Sequence, residues 1–167
     1  MVIHHARLDD MTPRDLHDVL ALRVAVFVVE QECAYPEIDG RDPEAEHWWS
    51  RSADGALTAC LRVLSEPDGT TRIGRVVSAP AVRGTGAGAE LFAAALETLS
   101  GPVVLGAQVR SQGFYARFGF AVSGPGYDED GIPHVPMLRK GSADPQATGG
   151  SSATCSPSCS SSSSSGD

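Results

Sequence analysis

A single mixed α/β (α+β) domain is the fold class this sequence predicts, and three observations carry it. Residues 56–64 and 71–78 are apolar stretches that flank a Pro67-Asp68-Gly69 turn, the pattern of a β-hairpin. Downstream, Gly88, Leu91, Phe92, Ala95, Leu96 and Leu99 recur at the spacing of one helix face over 86–99. Residues 103–109 then run apolar without a break, the mark of a strand covered on both faces. A hairpin followed by strand, helix and strand calls for a mixed sheet with helices against it.

The other elements follow in order. Residues 2–8 suit a first strand. Thr12-Pro13-Arg14-Asp15 is a helix start, with Thr12 as N-cap, Pro13 at the first helical position and Asp15 closing the capping pattern. Leu16, Val19, Leu20 and Phe27 carry that helix to about Val29. Pro36, Asp39-Gly40 and Pro43 make 33–46 a loop. Gly101-Pro102 ends the helix over 86–99, and a short helix over 111–118 closes at Gly119. Further strands are expected near 120–123 and 132–138.

From residue 141 the chain changes character. Of the 27 residues 141–167, 11 are serine, and no apolar periodicity remains. Such a segment cannot bury enough apolar surface to offset the entropy of ordering, so it reads as a disordered tail on a 1–140 domain. The 167 residues suit one domain. No apolar run approaches the roughly 20 residues that span a bilayer, and the N-terminus MVIHHARLDD has no leader pattern. These features predict a cytoplasmic protein. A net charge of −8 with a single lysine, Lys140, argues against nucleic acid or an anionic membrane as partner, since a basic face supplies most of that affinity. The same charge tilts towards a cationic partner such as an amine. The four cysteines are too scattered for a disulfide framework or a zinc site, so no metal is expected.

The chemistry concentrates where a strand runs into Val82-Arg83-Gly84-Thr85-Gly86-Ala87-Gly88 and opens a helix. Helix starts leave backbone N–H groups unpaired and carry a partial positive charge, which makes an anion site. Glycines let the backbone approach a phosphate without intervening Cβ atoms. A pyrophosphate is therefore expected on the N–H groups of about 84–89. Gly84-x-Gly86-x-x-Ala89 also satisfies the dinucleotide fingerprint, but that motif needs an acid for the ribose about 20 residues on. Residues 104–109, VLGAQV, contain none, and the lysine of a P-loop is missing too.

Arg83-x-x-Gly86-x-Gly88 resembles the [QR]-x-x-G-x-[GA] signature of the GNAT acetyltransferases. The resemblance extends to the branch usually called ElaA-like. It runs through Leu22-Arg23-x-x-Val26-Phe27-Val28-Val29-Glu30-Gln31, Glu37-x-Asp39-Gly40-x-Asp42, His47, Leu61-Arg62-Val63 and Gly74-Arg75-Val76. Ala107-Gln108, Phe114-Tyr115-x-x-Phe118-Gly119-Phe120 and Glu129-Asp130-Gly131-Ile132-Pro133-His134 continue it, so that it covers about residues 16–138. What it implies is the acyl-CoA N-acyltransferase fold, a mixed central sheet splayed between two strands with helices on its flanks. It also implies N-acetyl transfer from acetyl-CoA to an amine by direct attack. The amine acceptor would be a small molecule or a protein amino group, and a homodimer is compatible with the family.

On these residues the resemblance places the CoA pyrophosphate at Arg83, Gly84, Thr85, Gly86, Ala87 and Gly88. Val76, Val77 and Ser78 would offer main-chain groups to the pantetheine arm. Tyr115 stands where many members place the acid for the leaving thiolate; its alternative is an aromatic packing beside Phe114 and Phe118. The glutamate that many relatives carry on the strand before the loop is missing, and Arg75 takes a central place there. The base therefore has to be a water chain or a group from elsewhere. Candidates are Glu30 and His134, histidine being the residue type that changes charge near neutral pH. Glu30, His47, Asp130 and His134 are also the candidates for acceptor binding. The missing carboxylate keeps a second reading open, a non-catalytic acyl-CoA-binding or scaffold module of the same fold.

Overall fold

The computed structural model describes residues 1–141, so the expected tail lies almost wholly outside the described residues. Eight strands form one sheet in the order β1-β2-β3-β4-β5-β8-β6, with β7 paired on β8. They are β1 Val2–Arg7, β2 Glu46–Arg51, β3 Leu57–Ser65, β4 Thr71–Ser78, β5 Val103–Gln108, β6 Ala121–Val122, β7 Tyr127–Glu129 and β8 Ile132–Arg139. The helices are α1 Pro13–Arg23, α2 Ala87–Glu97 and α3 Gln112–Ala116. No helix among the described residues is long and apolar enough to cross a membrane.

Local chemistry sets the elements in place. Thr12 caps α1 as its spacing predicts, accepting the Asp15 N–H at 3.1 Å, with Pro13 at the first position. The β3–β4 turn closes at Gly69, whose φ of +83° suits glycine, and Asp68 accepts from the Thr70 N–H at 2.9 Å. The end of α1 differs from the even helix expected to Val29. The chain widens into π-type turns over Val24–Glu30, with Gln31 N–H donating five residues back to Val26 O at 3.2 Å. Such widenings concentrate at functional sites.

Two apolar layers sandwich the sheet. On one face α2 brings Leu91, Phe92, Ala95 and Leu96 against Leu61, Ile73, Val103 and Leu105. Phe92, fully buried, has Phe114, Tyr115, Phe118 and Phe120 around its ring. Burying one such side chain is worth about 1.5–3 kcal/mol. On the other face α1, through Val19, and the π-type turns that follow it, through Val26, cover Trp49, Cys60 and Val77.

Among the described residues only β4 and β5 run parallel, and they pair at Thr71↔Val103 and Arg72↔Val104 alone. Beyond Arg72 they part, and a gap opens between them. This corrects the expectation that β5 is covered on both faces. Val103, Leu105 and Ala107 are buried, whereas Val104 and Gln108 are half-buried and Gly106 is exposed. The second face has lost its cover because β4 splays away from it.

Candidate active site

A cleft of about 590 Å³ opens at the splay. Val76, Val77 and Ser78 line one wall, Gly106 and Gln108 another, and Tyr115 and His134 also face it. At its edge the chain turns from β4 into α2. Gly84 and Gly86 take φ values of +81° and +97°, which side-chain-bearing residues rarely adopt. A Cβ at Gly88 would strike Ser78 Oγ, so this glycine lets the helix close on the strand. The first backbone bond into α2 is Glu90 N–H to Gly86 O at 3.0 Å, so the donors ahead of it stand at the helix start without a partner inside the helix.

Arg83 and Glu30, which both line the cleft, form a bidentate ion pair with both N···O distances at 2.8 Å. The Arg83 guanidinium holds the Glu30 carboxyl below the usual carboxylate range. Tyr115 is 9% exposed, and burial pushes its phenol up to about 12. His134 Nδ1 lies 2.7 Å from Ile132 O, an acceptor, so Nδ1 is the donor there, and in the neutral ring Nε2 is the nitrogen with the lone pair. The ring stacks on Tyr127 with centroids 5.7 Å apart, and Nε2 stands 4.0 Å from Glu129 Oε2. Asp130 also lines the cleft, at φ +53° in the β7–β8 turn with Gly131 at +82°.

His47 is a correction. It is 1% exposed on β2, away from the cleft lining, and its Nε2 donates to Asp42 O at 3.0 Å. Burial pushes its imidazole below the ordinary value. It ties the 33–46 loop to the sheet and has no route to an acceptor.

Sequence reasoning missed what surrounds it. Arg23, Arg62 and Arg75 interleave with Glu37, Asp39 and Asp42 in one ionic cluster. Its bonds include Arg23 Nε–Glu37 Oε1 at 2.5 Å, Arg62 Nη2–Asp39 Oδ2 at 2.7 Å and Arg75 Nε–Glu37 Oε2 at 2.8 Å. Three cations meet three anions, and breaking one such buried pair costs about 3–5 kcal/mol. The cluster turns the 33–46 loop into a fixed wall of the cleft, with Tyr35 over the Arg75 guanidinium at 5.6 Å. Arg75 itself sits at φ +53°, one of two β4 residues set opposite Leu61 in a bulge. The signal available was the charge spacing in 37–42, which loop composition masked. Tyr127 was also missed: its hydroxyl lies over Gly106, where a Cβ would collide with it.

The family described as "Acetyltransferase (GNAT) domain" matches residues 8–140. A UPF0039 protein of Mycobacterium tuberculosis is 45% identical over 139 residues, covering 80% of this chain and 89% of that protein. The crystal structure of Escherichia coli ElaA superposes with a TM-score of 0.77 at 38% identity, covering 83% of this chain and 99% of that one. An acyl-CoA N-acyltransferase from Pseudomonas aeruginosa superposes with a TM-score of 0.76 at 41% identity, over 83% and 98% of the two chains.

Proposed function

Because this chain belongs to the GNAT acetyltransferase family, we propose that it is a cytoplasmic N-acetyltransferase that moves an acetyl group from acetyl-CoA to an amine, on a small molecule or a protein, by direct attack in a ternary complex. The observation that carries this reading is the glycine-shaped start of α2 opening onto the gap where β4 and β5 part. The residues fit a pyrophosphate-linked thioester. Positive-φ glycines and the N–H groups at the helix start suit the diphosphate, and the splayed strand edge at Val76, Val77 and Ser78 suits an amide-bearing arm.

Acetyl-CoA, when bound, supplies the acetyl group as an activated thioester. Arg83 turns from Glu30 to the pyrophosphate, an exchange of one anion for another. His134 Nε2 takes the proton from the attacking amine, its tautomer fixed by the Ile132 carbonyl. It is the stronger base candidate of the two, because an imidazole is intrinsically more basic than a carboxylate. The Tyr115 hydroxyl donates to the leaving sulfur as the C–S bond breaks. Glu30 and Asp130 remain on the acceptor side as carboxylates that draw in the cationic acceptor, which loses its first proton to solvent before the neutral amine attacks.

The non-catalytic reading is favoured by one observation: β4 offers Arg75 where a carboxylate base would serve, and its guanidinium is engaged by Glu37 and Asp39. Thiol release from acetyl-CoA, followed with a thiol reagent against a panel of amines, separates the two. Acceptor-dependent release supports the enzyme. Acetyl-CoA binding with no release for any amine supports the binding module.

A further inference from the structure

The cleft continues outward into a second cavity of about 620 Å³. The two share Glu30, Gln31, Gln108, Arg110 and Ile132. An amide bridge ties the shared residues together. Gln108 Nε2 donates to Gln31 Oε1 at 3.1 Å, and Arg110 Nε donates to Gln108 Oε1 at 2.9 Å. The bridge fixes the end of β5 against the end of the π-type turns, so both cavities keep a common, preformed doorway.

The residues proper to the outer chamber are Val109, Gly131 and Pro133. None of them carries a polar side-chain atom, and the shared Ile132 adds a fourth apolar surface. The charged groups at the doorway are engaged by neighbours, Glu30 by Arg83 at 2.8 Å and Arg110 by Gln108 Oε1 at 2.9 Å. Val109 is 48% exposed, whereas Val103 and Leu105, earlier on the same stretch, are buried. A branched aliphatic left in water beside a preformed doorway is surface that a ligand can cover.

We propose that this outer chamber holds the body of the acceptor, and that the preferred acceptors are amines carrying an apolar chain or ring, in place of compact polar amines or polycations. The proposal rests on the N-acetyltransferase reading and names the class of amine that reading leaves open. The apolar part would lie on Val109, Ile132 and Pro133, with the amine turned inward past the Gln31–Gln108 bridge towards His134.

The test is thiol release from acetyl-CoA with a series of n-alkylamines from ethyl to octyl, beside ethanolamine and spermidine. Amine basicity is nearly constant along the alkyl series, so the slope with chain length reports burial. A fully buried methylene is worth up to about fourfold in kcat/KM. The expected result is a rise of about twofold or more per methylene until the chamber fills, then a plateau, with ethanolamine and spermidine poorer than hexylamine. Val109→Asp, at an exposed position, should flatten the slope while Val109→Leu keeps it, with circular dichroism showing both folded. A flat wild-type series, a folded Val109→Asp variant with the wild-type slope, or a preference for spermidine overturns this proposal and leaves the transferase reading intact. Turnover of no amine at all, with acetyl-CoA bound, overturns both.

Discussion

Replacing Tyr115 by phenylalanine asks whether one hydroxyl does chemistry or only packs. The ring belongs to an aromatic cluster, with centroids 5.4 Å from Phe92 and 5.0 Å from Phe114, and phenylalanine keeps those contacts. Burial alone pushes the phenol up to about 12. A thiol of the cysteine type ionises near 8.5, so full proton transfer to a free thiolate would be uphill by about 3.5 pKa units, or about 5 kcal/mol. The hydroxyl therefore acts as a hydrogen-bond donor to the charge growing on sulfur, with the proton still held by the phenol until the bond breaks. Hydrogen bonds to charged groups are worth about 1.5–3 kcal/mol, which predicts a fall in kcat of about 10- to 150-fold. Acetyl-CoA affinity and melting temperature should stay close to wild type. Because the phenol stays protonated at every working pH, the variant should keep the shape of the pH–rate profile below about pH 10. Steady-state kinetics on the best acceptor, with single-turnover measurements showing that chemistry limits the rate, provide the assay. Turnover within about threefold of wild type would refute the donor role.

Glu30→Gln removes the partner that holds Arg83, so acetyl-CoA affinity should rise by about two- to fivefold, the range of an exposed ion pair; calorimetric titration measures it, and a fall would mean that the pair shapes the loop for binding. His47 gives a pH signature. Its folded-state value lies below the ordinary 6.5, so the unfolded chain takes up the proton first as pH falls through about 6.5. Stability present above that pH is then lost progressively, and the melting temperature should drop between pH 7 and pH 5, with a shallower slope in His47→Gln. Asp39 and Asp42 are also held below the ordinary 3.8, so their contribution is present above about pH 4 and is lost below it. In Asp39→Asn the acid limb below pH 4 should flatten, which the same melting series would show.

Wherever local chemistry decides the structure, the sequence was readable. Thr12 and Pro13 marked the start of α1, Asp68-Gly69 placed the β3–β4 turn, and the alternating glycines before α2 marked the turn into that helix. The loop's positive φ values agree with a glycine requirement at 84 and 86. What stayed hidden was decided by tertiary contacts. The strand β2, Glu-His-Trp-Trp-Ser-Arg, has no alternation because both its faces are covered, one of its tryptophans entering each apolar layer. The three-residue β7 exists only because it pairs with β8. The loss of cover on β5 follows from the splay of β4, a relation between strands that no window of residues contains. In sequence Glu37, Asp39 and Asp42 fall in a loop; they are held because Arg23, Arg62 and Arg75 arrive from three other elements. The same cluster explains why His47 is buried and why Arg75 accepts a left-handed backbone.

The most direct test of the account is to titrate the ¹⁵N-labelled protein with acetyl-CoA and follow its backbone amides. If the start of α2 and the parted strands form the acyl-CoA site, the largest shifts fall on Gly84 to Ala89 and on Val76 to Ser78, while the amide of His47 stays in place. Saturating acetyl-CoA that leaves those amides unmoved, or shifts that cluster on the far side of the sheet, would contradict it.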